Sequence, residues 1–200
     1  MRYMQKYPEL YDALAEIIKQ QCSISNPTIV DLGTGPGLLG PAIFKKIPQA
    51  KVVGVDPLQH MLVLAQHTNK LFSSFFPLLG KAEHLPLKTQ SVDLVISRFS
   101  LPYWEHQQEC FREIYRVLKP GGSIVFEVLN KDFSSVRLWF VRFHMMLRGA
   151  SSMVIRYHLD AYKQAHTMDD IKKLLQPASF RNIQILGARK DWKFTVLAQK

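Results

Sequence analysis

The stretch Thr28-Ile29-Val30-Asp31-Leu32-Gly33-Thr34-Gly35-Pro36-Gly37-Leu38-Leu39 constrains the chain most. Thr28 to Leu32 is β-branched and apolar, the signature of a buried strand. It runs into a turn with glycine at every second position, and Leu38, Leu39, Ala42, Ile43, Phe44 and Ile47 then recur with helical spacing. Strand, glycine turn and helix in that order form the first unit of a parallel α/β sheet. Glycines without a Cβ let a ligand lie against bare backbone, and the helix start beyond them offers unpaired N–H groups. A small molecule is expected at this turn.

The next unit narrows the ligand. Lys51 to Val55 reads as a second buried strand, and it ends in Asp56, 19 residues after Gly37. An acidic residue at the end of that strand is placed to accept hydrogen bonds from two ribose hydroxyls. A dinucleotide fingerprint aligned on Gly33 and Gly35 requires glycine at position 38, where this chain has Leu38. Asp31, just ahead of the turn, repels a pyrophosphate and attracts a cationic amino group. Both details disfavour a nucleotide-dependent oxidoreductase.

Read as Asp31, Gly33, Gly35 and Gly37, the turn resembles motif I of the class I S-adenosylmethionine-dependent methyltransferases, (Asp/Glu)-x-Gly-x-Gly-x-Gly, of the type 11-like domain. Three further segments carry the resemblance. Asp56, Met61 and Leu62 fit Asp-x-Ser-x-x-Met-Leu, with Leu58 replacing the serine. Gly80-Lys81-Ala82-Glu83-His84-Leu85-Pro86-Leu87 is similar to Gly-Asp-Ala-Glu-x-Leu-Pro-Phe, and Phe111 to Gly122 is similar to the family's helix-to-fifth-strand connection. The motifs span residues 28 to 128, and the rest matches in architecture alone.

The resemblance implies a fold of the α/β class: a Rossmann-like, seven-stranded, mostly parallel doubly wound sheet with a C-terminal antiparallel β-hairpin. It implies S-adenosyl-L-methionine as cofactor and methyl transfer as activity. Asp31 is expected to hold the methionine amino group, the backbone of Gly33, Thr34 and Gly35 to make room for the amino-acid portion, and Asp56 to bind the ribose. Pro57 and Met61, just past Asp56, offer apolar surface to adenine. The family's adenine-binding aspartate is replaced by Lys81, which accepts no hydrogen bond, so the backbone at Ala82 and the Glu83 carboxylate are left for that role. Ser97 and Arg98 end a fourth strand, Ser91 to Ser97, beside the crevice where doubly wound sheets bind ligands, and Ser97 joins the expected cofactor contacts. No catalytic residue is singled out; Tyr103, His106 and His158 are candidates for acid–base work.

With 200 residues, 47% of them hydrophobic, the chain suffices for one domain with a filled core. The expected organisation is an N-terminal helix cap over 1–27, a cofactor-binding core over 28–128, a variable insertion over 129–166, and a final helix and β-hairpin over 167–200. Residues Met1 to Leu10 carry no apolar run of signal-peptide length and no 18-residue apolar stretch occurs, so a soluble cytoplasmic protein is expected. Cys22 and Cys110 lack metal or disulfide-framework spacing and read as ordinary thiols.

Charge is uneven. Residues 131–200 hold 13 Lys/Arg against 5 Asp/Glu, whereas residues 1–130 hold 13 against 11. Such a basic third suits an anionic partner, nucleic acid or anionic lipid, or simply faces solvent. Val136 to Arg148 draws as a helix with Val136, Phe140, Phe143 and Leu147 on one face and Arg137, Val141, His144 and Arg148 on another, leaving Leu138 and Met145 apart from both. A substrate lid, a lipid-contacting surface, a dimer face or a helix buried on both sides would each produce that pattern. The expected acceptor is a small molecule; RNA or lipid methylation through the basic third, or a cofactor-binding module without catalysis, are the alternatives. Oligomeric state and the acceptor atom are left open.

Overall fold

A computed structural model describes residues 8–147, 149–150 and 152–200. The chain runs α1 (Pro8–Gln20), β1 (Thr28–Leu32), α2 (Gly40–Lys46), β2 (Lys51–Asp56), α3 (Gln59–Thr68), β3 (Phe75–Leu79), β4 (Val92–Arg98), α4 (Gln107–Val117), β5 (Leu118–Leu129), α5 (Ser135–Leu147), α6 (Ser152–Lys163), α7 (Met168–Leu175), β6 (Arg181–Leu186) and β7 (Lys193–Gln199). The seven strands form one sheet in the order β3-β2-β1-β4-β5-β7-β6. The first five are parallel, and β7 enters antiparallel between β5 and β6. The α/β sheet with its terminal hairpin is the architecture expected from the sequence. A dinucleotide fold would continue with a parallel strand beside β5, so the antiparallel β7 also separates this sheet from that class.

Strand alternation explains why both faces carry helices. Val30, Leu32, Val53, Val55, Val95 and Phe126 pack against α4 and α7, while Ile29, Val52, Leu94, Ile96 and Val125 pack against α1 and α2. Thr167 opens α7 with a capping box, its hydroxyl accepting the Asp170 N–H while the Asp170 carboxylate accepts the Thr167 N–H.

Two features depart from the sequence reading. Residues 152–163 form a helix, α6, that single-chain periodicity does not reveal. In α5 the seam facing α6 holds Leu138, half-buried, and Met145, buried, whereas Val136, Phe140, Phe143 and Leu147 lie in solvent. The two residues that fit neither drawn face pack there, beside Val141. Residues 1–7 of the expected N-terminal helix cap and Arg148, on the basic stripe of α5, lie outside the described residues.

Candidate active site

Parallel partners point the same way and every second side chain shares a face, so register determines what gathers at the C-terminal edge of the sheet. Asp31 pairs with Gly54 and with Ile96, and Arg98 pairs with Glu127. Asp31, Asp56, Arg98 and Glu127 therefore line one face of four adjacent strands, and all four side chains are buried.

The glycine turn is hung on the neighbouring strand. Gly33 and Thr34 donate their N–H groups to the Val55 carbonyl at 2.8 and 3.0 Å. Asp56 Oδ2 accepts the Gly35 N–H at 2.9 Å, and its Oδ1 accepts the Leu58 N–H at 3.0 Å. Each carboxylate oxygen keeps a further lone pair for a ligand hydroxyl.

The three glycines of the turn differ in use. All have positive φ, at +73°, +53° and +71° for Gly33, Gly35 and Gly37. A Cβ on Gly33 would stand 2.3 Å from the Ser100 Cβ, and one on Gly37 would stand 2.9 Å from the Ala65 Cα. Those two are demanded by packing. A Cβ on Gly35 would meet nothing within 4 Å. Bare backbone beside open space, between Asp31 and Asp56, is the cradle a ligand needs.

Asp31 is buried, and its Oδ2 accepts a hydrogen bond from the Thr34 hydroxyl at 2.7 Å. Burial pushes its carboxyl up to about 6; the Thr34 hydroxyl opposes that rise, and the Asp56 charge adds to it. A carboxylate so desolvated gains from a cationic ligand group.

Arg98 completes the row. Its Nε donates to Glu127 Oε2 at 2.6 Å, and its guanidinium lies over the Tyr11 and Phe99 rings at 4.2 and 4.8 Å. The side chain is only 8% exposed, and its Nη2 has no hydrogen-bond partner among the described residues. Lys193 also pairs with Glu127. Burial raises the Tyr11 hydroxyl above the ordinary tyrosine value, and the Arg98 charge pulls it back.

The other expected contacts fall in three groups. Pro57 is exposed and Met61 half-buried at the entry of α3, and with Leu58, 49% exposed, they leave apolar surface beside Asp56. Ala82 is buried in the core behind β3, and Glu83 is turned to α4, its Oε1 accepting the Glu105 N–H at 3.0 Å. The Glu83 carboxylate is therefore engaged as a clamp on the start of α4 and stands below its ordinary pKa, backbone N–H bonds outweighing its desolvation. Ser97 is buried and shares a hydrogen bond with the Ser100 hydroxyl, while Ser100 donates to the Leu32 carbonyl at 3.1 Å. This pair braces the loop after β4 against the glycine turn. Of the acid–base candidates, Tyr103 lies exposed in a short 3-10 turn and His106 exposed at the start of α4. The side chain of His158 lies outside the described ones.

Three residues matter more than the sequence reading allows. Arg98 stands next to Ser97 at a strand end already expected to face the crevice, so its position is readable but its burial is not. Ser100 is revealed only by its contact with Gly33. Asn69 is buried at the end of α3 and donates through Nδ2 to the Gly37 and Ala65 carbonyls, both at 2.9 Å, clamping the glycine turn to α3.

Residues 30–126 match the family model described as "Methyltransferase domain". The chain is 29% identical over 182 residues to a demethylmenaquinone methyltransferase of Chlorobaculum tepidum, covering 87% of this chain and 74% of that one. It is 34% identical over 104 residues to a malonyl-[acyl-carrier protein] O-methyltransferase of Marinomonas sp., covering 52% of this chain and 38% of the relative. A solved SAM-dependent methyltransferase from Aquifex aeolicus superposes with a TM-score of 0.72 at 19% identity, covering 93% of this chain and 88% of the other. Human N-acetylserotonin methyltransferase in complex with SAM superposes at 0.66 and 21% identity, covering 99% of this chain and 55% of the other. The sheet order and the terminal antiparallel hairpin are those of the Rossmann-like methyltransferase fold. The chain carries a methyltransferase domain over residues 30–126 and has the fold of solved S-adenosylmethionine-dependent methyltransferases.

Proposed function

We propose that this methyltransferase acts on a small organic acceptor and that Asp31, Gly35, Asp56 and Arg98 divide the cofactor among them. The observation that carries the reading is the open backbone at Gly35, set between two buried carboxylates, with an arginine nitrogen left unpaired on the same edge. Asp31 takes the methionine ammonium, and Arg98 Nη2 takes the methionine carboxylate. Opposite charges from two adjacent strands thus match a zwitterion. Asp56 accepts the ribose hydroxyls with the lone pairs that Gly35 and Leu58 leave free, and Pro57, Leu58 and Met61 give adenine an apolar shelf. Ala82 contributes through its backbone at the end of β3.

Bound S-adenosylmethionine supplies a methyl group on a sulfonium sulfur, which retains the bonding pair as the acceptor's lone pair attacks. The chain's part is alignment and exclusion of water, a contribution of up to about 7–11 kcal/mol when the reacting atoms are held in line. With Asp31 on the ammonium, Asp56 on the ribose and Glu127 paired with Arg98 and Lys193, this row supplies no general base, and an acceptor that is nucleophilic without one suits it.

The small-molecule reading rests on relatives. The names of the Chlorobaculum and Marinomonas enzymes specify a quinone and a carrier-bound malonyl group. The test is to incubate the purified protein with methyl-labelled cofactor and extract from its own cells, then fractionate by size. Label in the low-molecular-weight or solvent-extractable fraction, or label on protein that thioester cleavage releases, is expected; label confined to RNA, or held on protein after that cleavage, would overturn the reading.

A further inference from the structure

The face of α5 turned away from the body of the protein has no use in the reading above. Successive residues of an α-helix step by about 100°, which puts Met146, Trp139, Phe143, Val136, Leu147 and Phe140 on one continuous arc of about 120°. All six are 48–71% exposed. Their rings are organised, with Trp139 stacked on Phe143 at 5.9 Å and edge-on to Phe140 at 5.2 Å. The opposite side of the helix, with Leu138 and Met145, is the seam against Ile155 and Tyr162 of α6. This helix is thus held by one face and leaves three aromatic rings in water on the other, an arrangement soluble monomers rarely keep without a partner.

Charge says what the partner is. Arg142 borders the arc on one side, and Arg137 and His144 border it on the other, all exposed. Arg137 Nη1 donates to the Lys190 carbonyl at 3.0 Å, which draws the loop between β6 and β7, with its lysine, to the same border. Residues 133–159 contain four arginines and no aspartate or glutamate. A second copy meeting this face through a two-fold axis would bring arginines together with no carboxylate of α5 to pair them. An anionic lipid surface supplies phosphates at the rim and acyl chain at the centre, which is the layout of a helix lying in a bilayer interface.

We propose that α5 docks this protein on anionic phospholipid membranes, with the Trp139, Phe140 and Phe143 rings entering the headgroup boundary and Arg137 and Arg142 meeting phosphate. The docking is independent of the acceptor and of the cofactor. Its place in the fold gives it a consequence: α6, against which α5 packs, carries Ala161 and Tyr162 in a cluster with Leu129, Phe99 and Trp192 at the ends of β4, β5 and β7. The bound surface therefore stands at the same edge of the sheet as Asp56 and Arg98.

Flotation of the full chain with vesicles of phosphatidylcholine alone, and of phosphatidylcholine with 30% phosphatidylglycerol, tests this at low and moderate salt. The protein is expected to float with the anionic vesicles only, less at the higher salt, with a blue shift of tryptophan emission that Trp139→Phe abolishes. The pair Phe140→Ser and Phe143→Ser should lower partitioning roughly a hundredfold, and the pair Arg137→Gln and Arg142→Gln roughly thirtyfold. All these side chains are exposed, and S-adenosylhomocysteine binding by calorimetry shows that each variant is folded. Absence of flotation from wild type would overturn the proposal, and sedimentation as a dimer that Phe140→Ser disperses would assign the face to a second copy. Flotation with a blue shift that survives in Trp139→Phe would place the contact outside α5 and equally overturn it.

Discussion

Asp56 holds Gly35: its Oδ2 accepts the Gly35 N–H at 2.9 Å, tying the turn after β1 to the end of β2. The other carboxylate oxygen fixes Leu58 at the entry of α3 in the same way. One side chain thus shapes the turn and presents its remaining lone pairs to a ligand. Asp56→Asn keeps the size but sets an amide N–H against one of those two backbone N–H groups. Affinity for S-adenosylhomocysteine should fall at least tenfold, and stability by about 1–3 kcal/mol. Calorimetry and urea unfolding read the two effects separately, and a variant that binds like wild type would place the ribose elsewhere.

The glycines allow a sharper contrast. Gly33→Ala forces a Cβ to 2.3 Å from the Ser100 Cβ at a positive φ, an overpacking and backbone cost of about 3–5 kcal/mol. Gly35→Ala meets nothing within 4 Å and should cost only about 1–2 kcal/mol from its φ of +53°. Its methyl group, however, enters the cradle. Gly35→Ala should therefore remain folded and lose cofactor binding, whereas Gly33→Ala should lose the fold first. Thermal melts beside binding isotherms check this ordering.

Asp31 is expected to make binding pH-dependent. Its carboxyl ionises near 6 in the folded protein because burial disfavours the charged form. Above that pH the carboxylate attracts the cofactor's ammonium; below it, protonation removes the charge. Wild-type affinity for S-adenosylmethionine should thus fall as pH drops from 7 to 5, approaching tenfold per unit below about 6. Asp31→Asn should bind more weakly at pH 7 and show a flat profile across the same window. A wild-type profile equally flat would remove Asp31 from ammonium recognition.

Cofactor selectivity follows from the same turn. A pyrophosphate would meet Asp31 ahead of the glycines and Leu38 where a dinucleotide site needs bare backbone. Calorimetry should show one site for S-adenosylmethionine or S-adenosylhomocysteine and none for NAD. Saturable NAD binding that competes with S-adenosylhomocysteine would contradict this.

Arg98 links stability to the site. Its pair with Glu127 is buried on both sides, 8% and 1% exposed, and breaking such a pair leaves a charge without its partner. Arg98→Met should weaken cofactor binding more than it weakens the fold, since Lys193 remains to pair Glu127. Glu127→Gln should do the reverse, lowering stability while Arg98 keeps a free nitrogen for the ligand. Denaturant midpoints and binding constants of the two variants check the crossover.

What the residues alone determined is local or repeats along the chain. The strand, glycine turn and helix at Thr28 to Phe44 announce themselves because turn chemistry and apolar period act over a dozen residues. Asp56 is legible because its distance from the turn is set by one helix and one strand. The tertiary structure decided what depends on which surfaces meet. Leu138 and Met145 fit neither face drawn on α5, yet they form its buried seam, because α6 supplies a partner that periodicity does not show. Glu83 carries an acid at a position suited to adenine, but the start of α4 offers it N–H groups and takes it. Arg98 is buried beside Glu127 and over the Tyr11 ring because register and packing bring together three elements that lie far apart in the chain and that no local spacing connects.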